Sequence, residues 1–386
     1  MKKIKIPFNK PYIIGKELYY IAQAVLSGRI SGDGTFSNKC AKLIQDRYKI
    51  KKVLLTTSCS TALDMSAILC NIKSGDEIIL PSYTFVSTAN SFYTRGTKLR
   101  FVDIRRDTLN IDENEIEEVI TPRTRAIVVV HYAGIGCEMN KIMDIAKRNN
   151  LLVVEDSAHG LESTYNGKYL GTIGDIGCYS FHETKNITCG EGGAILINNE
   201  EFSERAEIIR EKGTNRSKFF RGEIDKYTWI DIGSSYLPSE ILSAFLYAQL
   251  ENIEMITRKR LDLWNYYYNN LDDLEKKGFI KRPFIPDNCS HNGHLFYILL
   301  ENKKVRDLLL KYFKNKGILA IFHYLPLHLS PIGKKIGYRT GQLPITEELS
   351  SCLIRLPMFY GLSRIEQDMV LDNLISFFTK IKSLSL

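Results

Sequence analysis

Two segments of this chain pair an amine with a carboxylate. Lys185 lies in SFHETKN (Ser180 to Asn186), and Asp156 lies about thirty residues earlier in VVEDSAHG (Val153 to Gly160). A lysine on one strand-end loop and an acid on another are what an aldehyde cofactor with a pyridine ring requires, because the amine forms a Schiff base while the acid keeps the ring nitrogen protonated. Together they point to pyridoxal phosphate (PLP) chemistry. Asp156 follows the apolar run Leu151 to Val154, which reads as a buried parallel strand. Its carboxylate is therefore expected at a strand's carboxyl end, where α/β proteins bind ligands.

Other residues fit the same cofactor. KVLLTTSCSTALDMSAIL passes from an apolar strand through small hydroxyl residues into a helical pattern, placing Ser58, Ser60 and Thr61 at a helix N-terminus. Such an end offers unpaired N–H groups and a favourable dipole to a phosphate, and it is equally a common structural cap. PSYTFVSTAN (Pro81 to Asn90) follows strand DEIIL on the same edge, where Phe85 is a candidate to stack on a flat ring or else a core aromatic. His159, on the loop of Asp156, is a candidate contact to the ring or its phenolic oxygen.

The elements that position these residues alternate along the chain. β-rich runs at Val53 to Leu55, Glu77 to Leu80, Arg100 to Val102, Ala126 to Val130, Leu151 to Val154, Cys178 to Phe181 and Ala194 to Ile197 are separated by helix-length stretches. The pattern predicts a mostly parallel sheet with crossover helices. In one crossover, Met139, Ile142, Met143 and Ala146 share a helical face. A long helical run, Glu240 to Trp264, is followed by fewer strand signals, including HLFYILL near 297, so the expected units are a large domain at 1–250 and a small α/β domain at 251–386. WNYYYNN (264 to 270) reads as a packed helix face.

Composition narrows the class. The 386 residues, 44% hydrophobic and 25% charged, suit a globular protein with a sizeable core rather than a disordered one. Lys and Arg are dispersed among nearly as many Asp and Glu, so the net charge of +8 predicts no nucleic-acid partner and suits an anionic small substrate. Eight cysteines without CxxC or Cys/His spacing predict neither a metal site nor a disulfide framework. MKKIKIPFNKP has no apolar signal region and no later run approaches a membrane span, so a cytoplasmic protein with no membrane partner is expected.

Taken in order, TSCSTAL, PSYTFVSTAN, VVEDSAHG, YSFHETKN and GEGGAILI resemble the sugar-nucleotide aminotransferases of the DegT/DnrJ/StrS type over nearly the whole chain. The resemblance implies the PLP-dependent fold-type I architecture and a homodimer with active sites at the interface. It implies Lys185 as Schiff-base residue and proton carrier, Asp156 as partner of the ring nitrogen, and Phe85 as the stacking aromatic. Ser60, Thr61 and Ser180 fall at the cofactor phosphate, and His159 falls where many members have Gln. Ser235, in DIGSSYLPS, stands where members often carry the Asn that touches the neighbouring subunit's phosphate.

Within the family, HYAGIGCEM, GTIGDIGCYSFHETKN, REKGTNRSKFFRG and FHYLPLH are most similar to the branch that forms dTDP-4-amino-4,6-dideoxygalactose for bacterial surface polysaccharides. This implies amino transfer from L-glutamate to C4 of a dTDP-4-keto-6-deoxyglucose. The loop REKGTNRSKFFRG supplies Lys212, Arg216 and Arg221 for a nucleotide diphosphate, and His323 and His328 fall at the sugar site. The gluco epimer, a 3-aminotransferase and a non-catalytic PLP-fold binding protein are the alternatives. Dehydratases of the same fold carry His where this chain has Lys185.

Overall fold

The computed structural model describes residues 4–384. Seven strands form the central sheet: β1 (Lys52–Thr56), β2 (Glu77–Pro81), β3 (Lys98–Val102), β4 (Thr124–Val130), β5 (Leu152–Asp156), β6 (Ile176–Ser180) and β7 (Gly193–Ile197). Their spatial order is β1-β7-β6-β5-β4-β2-β3. Every neighbouring pair is parallel except those made by β7, which runs antiparallel to both β1 and β6. The carboxyl ends of the other six strands therefore share one edge. β2, β6 and β7 are buried along their whole length, as expected of strands covered on both faces.

The helices that matter to the site are α1 (Glu17–Leu26), α2 (Thr35–Tyr48), α3 (Cys59–Leu69), α4 (Val86–Tyr93), α5 (Met139–Arg148), α6 (Glu240–Leu250) and α7 (Ile253–Asn270). On α5 the buried face is Met139, Ile142, Ile145 and Ala146, with Met143 half-buried beside it. The run from Glu240 to Trp264 is not one helix. It breaks at Glu251–Asn252, where the Asn252 side-chain amide donates to the carbonyl of Ala248 (2.9 Å) and competes with the helical ladder. The cores change across this break and the turn after it: Leu246, Leu250, Ile253 and Ile256 pack with β1, β6 and β7, whereas Leu263, Trp264 and Tyr267 pack in a second cluster.

That second cluster surrounds a small antiparallel sheet, β8 (Ile280–Lys281), β9 (Phe296–Leu300) and β10 (Leu353–Leu356), in that order. Ile6 packs in it as well, through a bridge to Ile318. The chain between the two cores is tied down by Asp103. Its buried carboxylate accepts from the N–H groups of Ile345 (2.9 Å) and Thr346 (2.7 Å) at the start of helix Pro344–Cys352. Such caps satisfy orphan donors and place negative charge at the positive end of the helix dipole.

Glu240 does the same for α2 at 1% exposure. Its carboxylate accepts from the N–H groups of Gly34 (3.1 Å), Phe36 (2.6 Å) and Ser37 (2.9 Å), and from the Ser37 hydroxyl. Glu240→Ala strands these buried donors, so it should lower the unfolding free energy by about 2–4 kcal/mol in urea titration. A loss under about 0.5 kcal/mol, typical of surface changes, would show that water replaces the carboxylate freely.

Candidate active site

The carboxyl edge of the sheet opens into a cavity of about 510 Å³ between the two cores. Its lining comes from loops that leave the parallel strands and from the small sheet. Ser58, Cys59 and Ser60 follow β1; Thr84, Phe85, Ser87 and Thr88 follow β2; Asp156 ends β5 and His159 follows it; Ser180 ends β6, and His182, Thr184 and Lys185 follow it. Of the residues that the sequence marks for a site, Lys185, Asp156, Ser60, Phe85, His159, Ser180 and His323 are all brought to this cavity by the fold.

Lys185 lies on the loop joining antiparallel β6 and β7. The loop is closed by the N–H groups of Phe181 and Glu183, which donate to the carbonyls of Gly192 (2.8 Å) and Gly190 (2.8 Å). Asn186 then fastens it to the segment before β9: its side-chain amide donates to the Asn292 carbonyl (3.0 Å), and its Oδ1 pairs with His294 Nδ1 (3.0 Å). Burial pushes the Lys185 ammonium down to about 8, partly opposed by Cys59 and Asp156 and reinforced by the Arg355 charge. Its Nζ makes no hydrogen bond or ion pair with a described residue.

Asp156 ends β5 at 5% exposure. Neighbouring side chains on a strand point to opposite faces, which separates it from Glu155. Glu155 turns away from the cavity, accepting from the N–H groups of Gly171, Ile173 and Gly174 and contacting His131 Nε2 (2.9 Å). Asp156 turns into it. Oδ2 accepts from the Thr88 hydroxyl (2.6 Å), itself paired with Thr84 (2.8 Å), and Oδ1 accepts from the Ala158 N–H (3.1 Å). Thr88 is absent from the residues that the sequence marks. The available signal is a pair of hydroxyls four residues apart, Thr84 and Thr88, flanking Phe85 at the start of α4.

His159 stacks on His294 (ring centroids 4.2 Å) and accepts from the Ala133 N–H at Nδ1 (3.3 Å). Burial, then the charges of Lys185 and Arg355, hold it well below the usual histidine range, so it is a neutral imidazole. His323 lines the cavity with Nδ1 against the Tyr132 hydroxyl (2.9 Å). Phe85 caps α4 at 55% exposure with its ring 6.2 Å from that of Tyr324, at the cavity wall.

The hydroxyl cradle begins α3. Ser58 accepts from the Thr61 N–H (3.1 Å) while Thr61 Oγ1 accepts from the Ser58 N–H (3.0 Å), a reciprocal cap. Thr61 is thus engaged in the cap and does not line the cavity, whereas Ser60 lines it and donates to Ser87 (2.7 Å). Gly193 explains the GEGG run, because a Cβ there would collide with the backbone of Ser58 and Cys59. Small residues, exposed N–H groups, a buried acid and a desolvated lysine fit a phosphorylated pyridine aldehyde.

The remaining expected contacts lie elsewhere. Lys212, Arg216 and Ser235 line a second cavity of about 460 Å³ with Arg29 and Asp33. Lys212 and Arg216 both pair with Glu211 (2.9 and 3.0 Å), and Arg221 pairs with Glu207 (2.8 Å). The segment expected as a loop contains the short helix Arg216–Phe220. His328 does not line the cavity: it is fully buried, holding Ser82 through Nδ1 (2.7 Å) and Glu347 through Nε2 (3.1 Å).

The depressed Lys185 should be visible without any cofactor. Limited acetylation of the apo protein across pH, read by peptide mass spectrometry, should give Lys185 a midpoint of about 8. A midpoint near the ordinary lysine value of about 10.4 would mean that the cavity does not desolvate it.

Comparison with known proteins identifies the family. Residues 11–375 match the DegT/DnrJ/EryC1/StrS aminotransferase family. The chain is 30% identical over 374 residues to the GDP-perosamine synthase of Caulobacter vibrioides, covering 96% of this chain and 97% of that one. A Brucella abortus aminotransferase of the family superposes with a TM-score of 0.85 at 27% identity, covering 94% of this chain and 95% of that one. The Helicobacter pylori aminotransferase involved in pseudoaminic acid biosynthesis superposes with a TM-score of 0.88 at 26% identity, covering 97% and 99%. This chain belongs to the DegT/DnrJ/EryC1/StrS aminotransferase family and is a PLP-dependent sugar aminotransferase.

Proposed function

We propose that the enzyme moves the amino group of L-glutamate to C4 of dTDP-4-keto-6-deoxy-D-glucose, giving dTDP-4-amino-4,6-dideoxy-D-galactose for surface polysaccharide synthesis. The observation that carries the reading is the single cavity in which desolvated Lys185 and buried Asp156 meet Ser60, Ser180 and His159. When bound, PLP would supply an electron sink. Asp156 would keep the ring nitrogen of PLP protonated, and Thr88 orients that carboxylate. Lys185, whose ammonium burial pushes down to about 8, would take and return the proton at the substrate carbon. Neutral His159 offers a hydrogen bond without adding charge.

The C4 position and the glutamate donor rest on the resemblance over nearly the whole chain, and the galacto configuration chiefly on the segments REKGTNRSKFFRG and FHYLPLH. Lys185 sits on one wall, so the pose of the sugar selects the face of C4 that receives the proton. The naming of a similar Caulobacter protein as a GDP-perosamine synthase favours a GDP-sugar as the second reading. Ser235 and the second cavity support a homodimer in which the face carrying Lys212 and Arg216 meets the partner's cavity. A cytoplasmic location follows from the nature of these substrates, and no helix among the described residues is long and apolar enough to cross a membrane.

Incubation with L-glutamate, PLP and either dTDP- or GDP-4-keto-6-deoxyhexose should yield the aminated dTDP sugar with a small H3–H4 coupling by NMR. A large coupling indicates the gluco epimer, and amination at C3 contradicts the regiochemistry. Lys185→Ala should slow both half-reactions by roughly 10³-fold or more, and Asp156→Asn by roughly 10²-fold, with the fold intact by circular dichroism. Near-normal single-turnover rates in either variant would remove that residue from its role. Sedimentation should find a dimer as the active species, and full activity in a monomer would overturn the shared site.

A further inference from the structure

Two arginines line the cavity, and they are in opposite states. Arg260 is committed to the fold: Nε donates to Gly293 O (3.0 Å) and Nη2 to His294 O. Arg355 is not. It sits in β10 opposite Tyr297 of β9, with its backbone fixed by two hydrogen bonds to Ile321 (2.7 and 3.2 Å). Its strand neighbours Ile354 and Leu356 pack in the small core, while Arg355 lines the cavity. The guanidinium rests on the Phe8 ring (4.7 Å) and makes no hydrogen bond or ion pair with a described residue; Nε is buried and unpartnered. The acids lining the cavity are occupied elsewhere, Asp156 with Thr88 and Ala158, and Glu191 near His182 (3.6 Å).

A desolvated guanidinium without a carboxylate is costly unless a ligand completes it, and its planar fork matches a carboxylate in two-point geometry. We propose that Arg355 anchors a carboxylate of the amino donor. The inference rests on the transaminase reading above and deepens it. The keto sugar nucleotide carries no carboxylate, so the two substrates that share the cavity in turn would differ in their use of Arg355. The Phe8 ring supports the fork from one side, and the nearby charge also helps to depress Lys185.

The test uses the holoenzyme. Glutarate, an unreactive dicarboxylate, should bind Arg355→Gln about tenfold or more weakly by calorimetry, and KM for L-glutamate in the first half-reaction should rise by a similar factor. Reaction of the amino-loaded enzyme with the keto sugar should lose far less, its loss being only that of the charge beside Lys185, and this split is one that a merely structural residue would not give. Arg355→Lys, which keeps the charge but loses the fork, should fall between, and it carries the same comparison if the glutamine variant does not fold. Unchanged glutarate affinity, or an equal loss in the sugar half-reaction, overturns the proposal. Glutarate binding is read without any sugar, so an error in the sugar assignment leaves this result interpretable.

Discussion

The site depends on desolvation at one edge of a parallel sheet. Because six strands end together, their loops can surround a cavity with apolar walls, and a charge placed there loses much of its hydration. Lys185 responds by moving toward the neutral amine, and His159 by remaining neutral. Two donors meet the Asp156 oxygens. The same environment thus brings a lysine closer to its neutral form next to an acid held by two donors, the combination that PLP chemistry uses.

The reversed strand β7 has a specific consequence for the lysine. A parallel connection would have carried the chain away through a crossover, whereas the antiparallel return of β7 keeps Lys185 on a short hairpin loop above the edge. The absence of a side chain at Gly193 lets β7 pass against Ser58, so the lysine loop and the hydroxyl cradle are packed on one another. The small sheet completes the enclosure from outside, bringing Arg355 and His294 to a wall that the large sheet alone would leave open.

Much of the large sheet was legible because each strand is a short apolar run and each site residue follows its strand directly. Asp156 and Lys185 could be placed from local sequence alone. Thr88 was harder, since a hydroxyl in a helix is ordinarily a structural residue. Arg355, Arg260 and His294 were not legible: they reach the cavity through contacts between segments far apart in the chain, and periodicity carries no information about such pairings. The break at Asn252 was hidden for a related reason, because apolar spacing continues across a residue whose side chain ends the helical ladder. His328 shows the converse error, a polar residue in a suggestive motif whose partners, Ser82 and Glu347, make it part of the interior.

The most direct test of the account is a crystal structure with PLP bound. It should place the pyridine nitrogen against Asp156, the phosphate at Ser60 and Ser180, and the aldehyde carbon at Lys185 Nζ. Cofactor density in the second cavity beside Arg216, or a ring turned so that Asp156 faces the phosphate, would contradict it.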